Sequence, residues 1–309
     1  MSDAEPEVRW LVSGAAGQLG TALVGQLASR GARVRAHDLD LDVADPAAVD
    51  GVLAELASGG PVVVVNAAAF THVDRCEREP ALAERVNAVA PAVLARACAA
   101  RGARLAHVST DYVFDGESGV PYREDDPPRP RSVYGRTKLA GERAVLEADP
   151  GFLVVRTSWL FGRGRNFPAA ILAQASALAP DGALRVVDDQ TGRPTYAEDL
   201  ACGLLALLSA GQGGVYHLAN AGTATWWEFA RACLDRAGYG HLEIQRIRTQ
   251  DLDLDAPRPR FSVLDCARAE RAGVRLRPWT EALDAYLAGA DAPPGVRARG
   301  AASAPEGRA

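Results

Sequence analysis

Val8-Arg9-Trp10-Leu11-Val12-Ser13-Gly14-Ala15-Ala16-Gly17-Gln18-Leu19-Gly20 decides the fold. Val8 to Val12 is a short apolar run interrupted only by Arg9, which reads as a strand. A glycine-rich turn follows at once, and a helical pattern then runs to about Arg30. Strand, glycine turn and helix in this order let the backbone come close to a pyrophosphate at a helix N-terminus, where N–H groups are free and the dipole is positive. The spacing is G-x-x-G-x-x-G rather than G-x-G-x-x-G. Simple turn punctuation is the alternative, and the position between a strand and a helix favours nucleotide binding over it.

Working outward, Arg33 to Ala36 reads as a second strand ending in His37-Asp38-Leu39-Asp40. An acidic residue about 20 positions past the glycine turn takes the ribose hydroxyls of a dinucleotide. Asp38 is the candidate. A carboxylate there repels a 2′-phosphate and tilts the choice towards NADH, while Arg33 and Arg35 pull towards NADPH. Asp45 reads as a helix cap with Pro46 just inside. Pro61 to Val65 is continuously apolar, as befits a central parallel strand buried on both faces. It ends in the small residues Asn66-Ala67-Ala68-Ala69. Asn87 opens a helix to about Arg101, with capping as its simplest role. Arg104 to Val108 is a fourth strand running into Ser109-Thr110-Asp111-Tyr112, and Phe152 to Val155 is a fifth. Strands alternating with helices predict an α/β chain, a Rossmann-type doubly wound parallel sheet with ligands at the carboxyl ends of its strands. Ser109 and Thr110 fall at such an end, where their hydroxyls serve either a substrate oxygen or local capping.

Tyr134 and Lys138 lie four residues apart just inside a helix running through Ala148, so both side chains share one face. A phenol beside an ammonium is a proton donor suited to carbonyl reduction, while the spacing taken alone reads equally as a solvated helix face. Beyond residue 156 the texture changes. Helices are expected near Phe167–Leu178, Ala197–Ser209, Trp226–Ala237 and Thr280–Leu287, and short strands near Leu184–Val187, Val215–Leu218 and Glu243–Ile247. The division expected is a dinucleotide-binding domain over 1–155 with segments returning near 184–218, a smaller C-terminal substrate-binding lobe over 156–289, and a disordered tail over 290–309. Arg258 and Arg260 sit among prolines, as either a diphosphate clamp or surface charge.

Composition narrows the function. Hydrophobic residues make up 48% of the 309 positions and charged residues 24%, which is ordinary for a globular protein, and a net charge of −5 argues against a nucleic-acid polymer as partner. Five cysteines without a C-x-x-C pair argue against a disulfide framework or a zinc site and suit the reducing cytoplasm. The sequence holds no apolar run of membrane-spanning length, and Met1 to Glu7 are polar and acidic, unlike a signal peptide.

The glycine turn, Ser109-Thr110 and the Tyr134/Lys138 pair, in that order, resemble the extended short-chain dehydrogenase/reductases. Longer blocks sharpen the match. Asn66–Asp74, Ser109–Gly116, Val133–Glu142, Arg156–Trp159, Asp189–Tyr196 and Arg258–Ser262 resemble the signature blocks of the dTDP-4-dehydrorhamnose reductase family, and the resemblance covers roughly Arg9 to Ala288. It implies a dTDP-4-keto-sugar substrate and a nicotinamide cofactor, NADPH or NADH. By the same resemblance Thr110 holds the keto oxygen and Tyr134 protonates it. Lys138 binds the nicotinamide ribose and lowers the phenol's pKa. Gly14, Ala16, Gly17, Gln18, Leu19 and Gly20, with Ala67, Ala68 and Ala69, cradle the cofactor, while Asp111, Tyr112, Trp159 and Arg258 line the sugar nucleotide. For Trp159 a core aromatic is the alternative. The resemblance also raises Mg²⁺ held by glutamates at a homodimer contact, but no glutamate here is matched to it and no metal ligand is assigned. His37-Asp38 departs from the arginine that often follows the second strand in relatives. Asp111-Tyr112 replaces the Asp-Glu pair of related dehydratases and disfavours dehydration. Sugar-nucleotide epimerisation, or a non-catalytic regulatory subunit of the same fold, are the rival readings.

Overall fold

The computed structural model describes residues 7–179 and 182–292. The chain opens with β1 (Arg9–Ser13), α1 (Gln18–Ser29), β2 (Arg33–His37), α2 (Pro46–Ala57) and β3 (Val62–Asn66). Two short helices, α3 (Val73–Arg78) and α4 (Pro80–Glu84), lead into a π-helical turn over Arg85–Val89 and then α5 (Ala90–Arg101). Next come β4 (Arg104–Thr110), a 3₁₀ turn over Asp111–Val113, α6 (Val133–Ala148) and β5 (Leu153–Thr157). The second half holds β6 (Leu160–Phe161), α7 (Phe167–Ser176), β7 (Leu184–Val187), β8 (Thr191–Gly192), β9 (Thr195–Tyr196), α8 (Ala197–Ser209) and β10 (Gly214–His217). It closes with β11 (Ala224–Thr225), α9 (Trp226–Arg236), β12 (Ile244–Ile247), α10 (Ala267–Arg271) and α11 (Trp279–Ala288).

Six strands form one parallel sheet in the order β10-β5-β4-β3-β1-β2. The order reverses between β1 and β3, so the crevice at their carboxyl ends is the switch point where open α/β sheets hold ligands. β3 is buried along its whole length, as its valine run requires. One face of the sheet is covered by α1 and α8, whose Leu19, Leu23, Leu27, Leu200 and Leu204 join Val12, Val63 and Val65 in one core. The other face is covered by α2, α5 and α6, which pack Val49, Leu53, Leu94 and Val145 on Leu11, Val64 and Val154. Asp45 caps α2 as expected, accepting from Ala47 N at 2.9 Å.

A further core joins α7, α9, α11, β7 and β12 around Phe161, Phe229 and Tyr286. The segment 184–187 does not return to the main sheet. Leu184 and Val186 turn into this second core, and β7 pairs with β12. Only β10 returns. Asn87 is not a helix cap. It lies inside the π-helical turn, fully buried. α3, α4 and α10 have five or six residues each, too short for an apolar period to declare them. Of the expected tail, residues 293–309 lie outside the described residues, as do Met1–Pro6 of the polar start. Among the described residues no helix is long and apolar enough to cross a membrane.

Candidate active site

Ser132 starts the site. Its hydroxyl accepts from Gly135 N at 3.0 Å and caps α6, which sets Tyr134 in the first turn and Lys138 one turn on. Gly135 allows the next element to close in, because a Cβ there would meet Tyr112 O at 2.1 Å. The 3₁₀ turn after β4 therefore lies directly on the helix start. Thr110, Asp111, Tyr112, Tyr134 and Lys138 come together, with Thr110, Asp111, Tyr134 and Lys138 buried. The Tyr112 and Tyr134 rings meet edge to face at 5.5 Å.

Burial pushes the Tyr134 phenol above its ordinary range, and the Thr110 hydroxyl beside it works the other way. Lys138 was expected to lower the phenol's pKa. Instead its ammonium donates to Val108 O at 2.7 Å and sits 3.5 Å from His107 Nε2. Burial lowers the lysine itself to about 8, against a pull upward from Glu142. Glu142 is held by Arg156 through two bonds of 2.9 and 2.7 Å, with both side chains almost fully buried. Burial raises Asp111 to about 6 despite the hydroxyls of Ser262 and Thr110, the latter donating at 3.0 Å. The Ser109 hydroxyl, one residue before Thr110 on β4, is buried without a hydrogen-bond partner.

The glycine turn packs against the end of β3. A Cβ on Gly14, whose φ is +71°, would meet Ala68 N at 2.6 Å, and one on Gly20 would meet Gly14 O at 2.1 Å. Only glycine permits so close a turn. Ala16 and Gly17 remain exposed at the start of α1, no side chain caps that helix, and Ala67 to Ala69 border the turn half-buried. Exposed small residues before an uncapped helix N-terminus fit a dinucleotide pyrophosphate. Ala15 N donates to His37 O at 3.0 Å, which brings the end of β2 to the same crevice. Asp38 is exposed there. Both arginines of β2 are committed elsewhere, Arg33 to Glu7 at 2.8 Å and Arg35 to Glu55 through two bonds.

A cleft of ≈ 580 Å³ lies between Thr71-His72 and the start of α7, lined by Arg165, Asn166 and Phe167. Gln18 of the glycine turn reaches it, donating to Arg165 O at 3.2 Å. Trp159 follows β5 with φ +46°, a left-handed backbone rare for so bulky a residue. It stacks flat on Trp226 at 3.6 Å, above Gly192, where a Cβ would meet the indole at 2.4 Å. It is half-buried and packs against the core around Phe161 and Phe229, so the core-aromatic alternative describes part of its surroundings. Arg258 and Arg260 do not act as a pair: Arg258 binds Asp74 at 2.6 Å and Arg260 points to solvent. Asp74, Trp226, Asn87, Asn66 and His107 were not singled out from the sequence as functional residues. His107, polar within an apolar strand, carried the one signal that could have found it. Among the described residues no three His, Cys, Asp or Glu side chains gather as a metal site.

Residues 8–291 match the family model described as the RmlD substrate binding domain. The dTDP-4-dehydrorhamnose reductase of Streptomyces griseus is 46% identical over 291 residues, covering 90% of this chain and 92% of that one. A probable dTDP-4,6-dihydroxy-2-methyloxan-3-one 4-ketoreductase of Streptomyces antibioticus is 43% identical, with 89% and 93% covered. The solved structure of dTDP-4-dehydrorhamnose reductase from Bacillus anthracis in complex with NADP superposes with a TM-score of 0.84 at 32% identity, over 91% of this chain and 99% of that one.

Proposed function

The chain belongs to the dTDP-4-dehydrorhamnose reductase family, and on that premise we propose that it reduces the C4 keto group of a dTDP-4-keto-6-deoxyhexose, with dTDP-4-dehydro-L-rhamnose the first candidate. The observation that carries the reading is the convergence of Thr110, Tyr134 and Lys138 at the carboxyl end of β4, on the side of the sheet where the glycine turn opens. A reduced nicotinamide supplies the hydride when bound in this crevice. Every other part belongs to the chain. Thr110 and Tyr134 hold the keto oxygen between two hydroxyls. The Tyr134 phenol, kept protonated by burial, gives its proton to that oxygen as negative charge develops. Lys138 fixes the ribose and stands one helical turn behind the phenol as its proton reserve.

Trp159, Tyr112 and Asp111 form the wall against which the sugar ring rests, and the lobe around Phe229 carries the nucleotide end. Arg258, neutralised by Asp74, positions the loop rather than clamping a diphosphate in this arrangement. Asp38, with Arg33 and Arg35 both paired to carboxylates, leaves the ribose end of the crevice suited to a 2′-hydroxyl, so NADH is the favoured cofactor. The test is cofactor oxidation on addition of dTDP-6-deoxy-L-lyxo-4-hexulose, with NADH and NADPH in parallel. Oxidation with formation of dTDP-L-rhamnose supports the reading. Oxidation giving the other C4 epimer moves it to a sister deoxysugar. Cofactor bound but never oxidised, with this and related keto-sugars, overturns it in favour of a regulatory subunit.

A further inference from the structure

Of the chain's 34 Lys and Arg residues, Lys138 is the only lysine. Arginine serves at every other cationic position, and arginine cannot give up its proton in a protein. The site thus retains the one cationic side chain that can become neutral, and a buried chain of hydrogen bonds behind it dictates how.

Ser13, Asn66 and His107 are directly opposite one another on β1, β3 and β4. All three are buried, as is Lys138. Asn66 Oδ1 accepts from Ser13 Oγ at 2.8 Å and from Ala68 N at 3.2 Å. A backbone N–H can only donate, so the Asn66 amide has one orientation, and its Nδ2 donates to His107 Nδ1 at 3.1 Å. A neutral imidazole whose Nδ1 accepts carries its proton on Nε2. That N–H faces Lys138 Nζ at 3.5 Å. An N–H aimed at a nitrogen opposes an ammonium and favours an amine, whose lone pair accepts it. Val108 O, at 2.7 Å, takes a lysine proton in either state.

We propose that His107 is a positioning residue for the reaction: fixed by Asn66 as its Nε2–H tautomer, it turns a donor onto the Lys138 nitrogen and favours the neutral amine over the ammonium there. The other buried titratable groups on the elements packed against α6 are Tyr134 and Glu142 on α6 itself, Cys76 on α3, Cys98 on α5, Asp111 after β4 and Arg156 on β5, with Arg156 committed to Glu142. Burial and the lysine's charge hold His107 far below its usual range, so it stays neutral. The lysine is lowered to about 8.

The inference takes its catalytic meaning from the reductase reading, but its test does not depend on turnover. Full-length protein carrying ¹³C,¹⁵N-lysine shows one lysine side-chain signal, whose Cε shift followed against pH reports Lys138 alone. The expected midpoint is near 8 in the wild type. In His107→Phe, which keeps an aromatic ring and removes the facing donor, the midpoint rises by about one pH unit. An unchanged or lowered midpoint overturns the proposal, because it means that the imidazole was accepting from the ammonium. Should that variant not fold, ¹⁵N-histidine spectra of the wild type decide: an Nε2–H tautomer at His107 supports the proposal and an Nδ1–H tautomer overturns it. In turnover, the limb of the kcat–pH profile moves with the lysine midpoint, a shift that a merely structural histidine would not produce. Absence of turnover alongside the expected NMR result rejects the reductase reading and leaves this one standing.

Discussion

On the proposed reading the Tyr134 phenol supplies the proton, so removing its hydroxyl is the sharpest single change. Tyr134→Phe is expected to lower kcat by about 10²–10⁴-fold, the usual worth of a positioned acid, while the dissociation constant for the cofactor, measured by fluorescence titration, stays within a few-fold. Near-normal turnover would remove the phenol from the mechanism. Asp38→Ala is expected to raise the NADPH-to-NADH ratio of kcat/KM, and an unchanged ratio would take Asp38 away from the ribose. Lys138 also carries a stability signature. Its folded midpoint near 8 lies below the ordinary 10.5, so between these values the unfolded chain holds a proton that the folded chain has lost. Stability therefore rises with pH through that window, and the cost of burying the charge is fully present below about pH 8. Lys138→Met removes that burial cost and is expected to stabilise the ligand-free protein at pH 7 in urea unfolding, less the hydrogen bond to Val108 O that it gives up, with loss of turnover. A destabilised variant would contradict so large a burial cost. Tyr134, Lys138 and Thr110 were legible in the sequence because their spacing and strand-end positions are local features. The link from Lys138 to His107, Asn66 and Ser13 was not. It depends on which residues of three separate strands stand side by side, and register across a parallel sheet leaves no mark along any one strand.

At the level of elements, the strand–turn–helix units were readable from their apolar runs and caps, and most boundaries lie within one or two residues of those expected. The π-helical turn over Arg85–Val89 was not, because its extra residue looks like ordinary helix in the sequence. It brings Asn87 to the segment that follows β3. Asn87 Oδ1 accepts from Phe70 N at 2.8 Å, and Nδ2 donates to Phe70 O at 3.0 Å and Thr137 Oγ1 at 3.3 Å. One buried amide thus ties the crevice wall to α6, and Gly141 leaves room for it, since a Cβ there would meet Asn87 O at 2.3 Å. Asn87→Ala leaves the Phe70 backbone groups without their partner and is expected to cost about 2–4 kcal/mol, with weaker cofactor binding. A loss under about 0.5 kcal/mol by denaturant midpoint would show that the turn holds itself.

At the scale of the whole molecule, the core around Phe161 and Phe229 stands apart from the two cores on the faces of the sheet, and the Trp159–Trp226 stack packs on it. Trp226 packs on Phe167 and Phe229 and also donates to Gln190 Oε1 at 3.0 Å. Trp226→Ala is expected to raise the KM for the sugar nucleotide about tenfold with a smaller change in cofactor affinity, because the indole packs on Trp159, Phe167 and Phe229 and not on the glycine turn itself. An equal loss of both would show that the two sides do not act separately. The second half was only partly legible. Its helices were readable from their apolar faces, but its two-residue strands and the pairing of β7 with β12 arise from packing between distant segments. The central claim is reduction at C4, and its most direct test follows the transferred hydrogen. Protein given nicotinamide cofactor deuterated at the reducing position, with dTDP-6-deoxy-L-lyxo-4-hexulose, should yield a sugar nucleotide bearing one deuterium at C4 and the L-rhamno configuration. Deuterium at another carbon, or an altered sugar with none, would contradict the account.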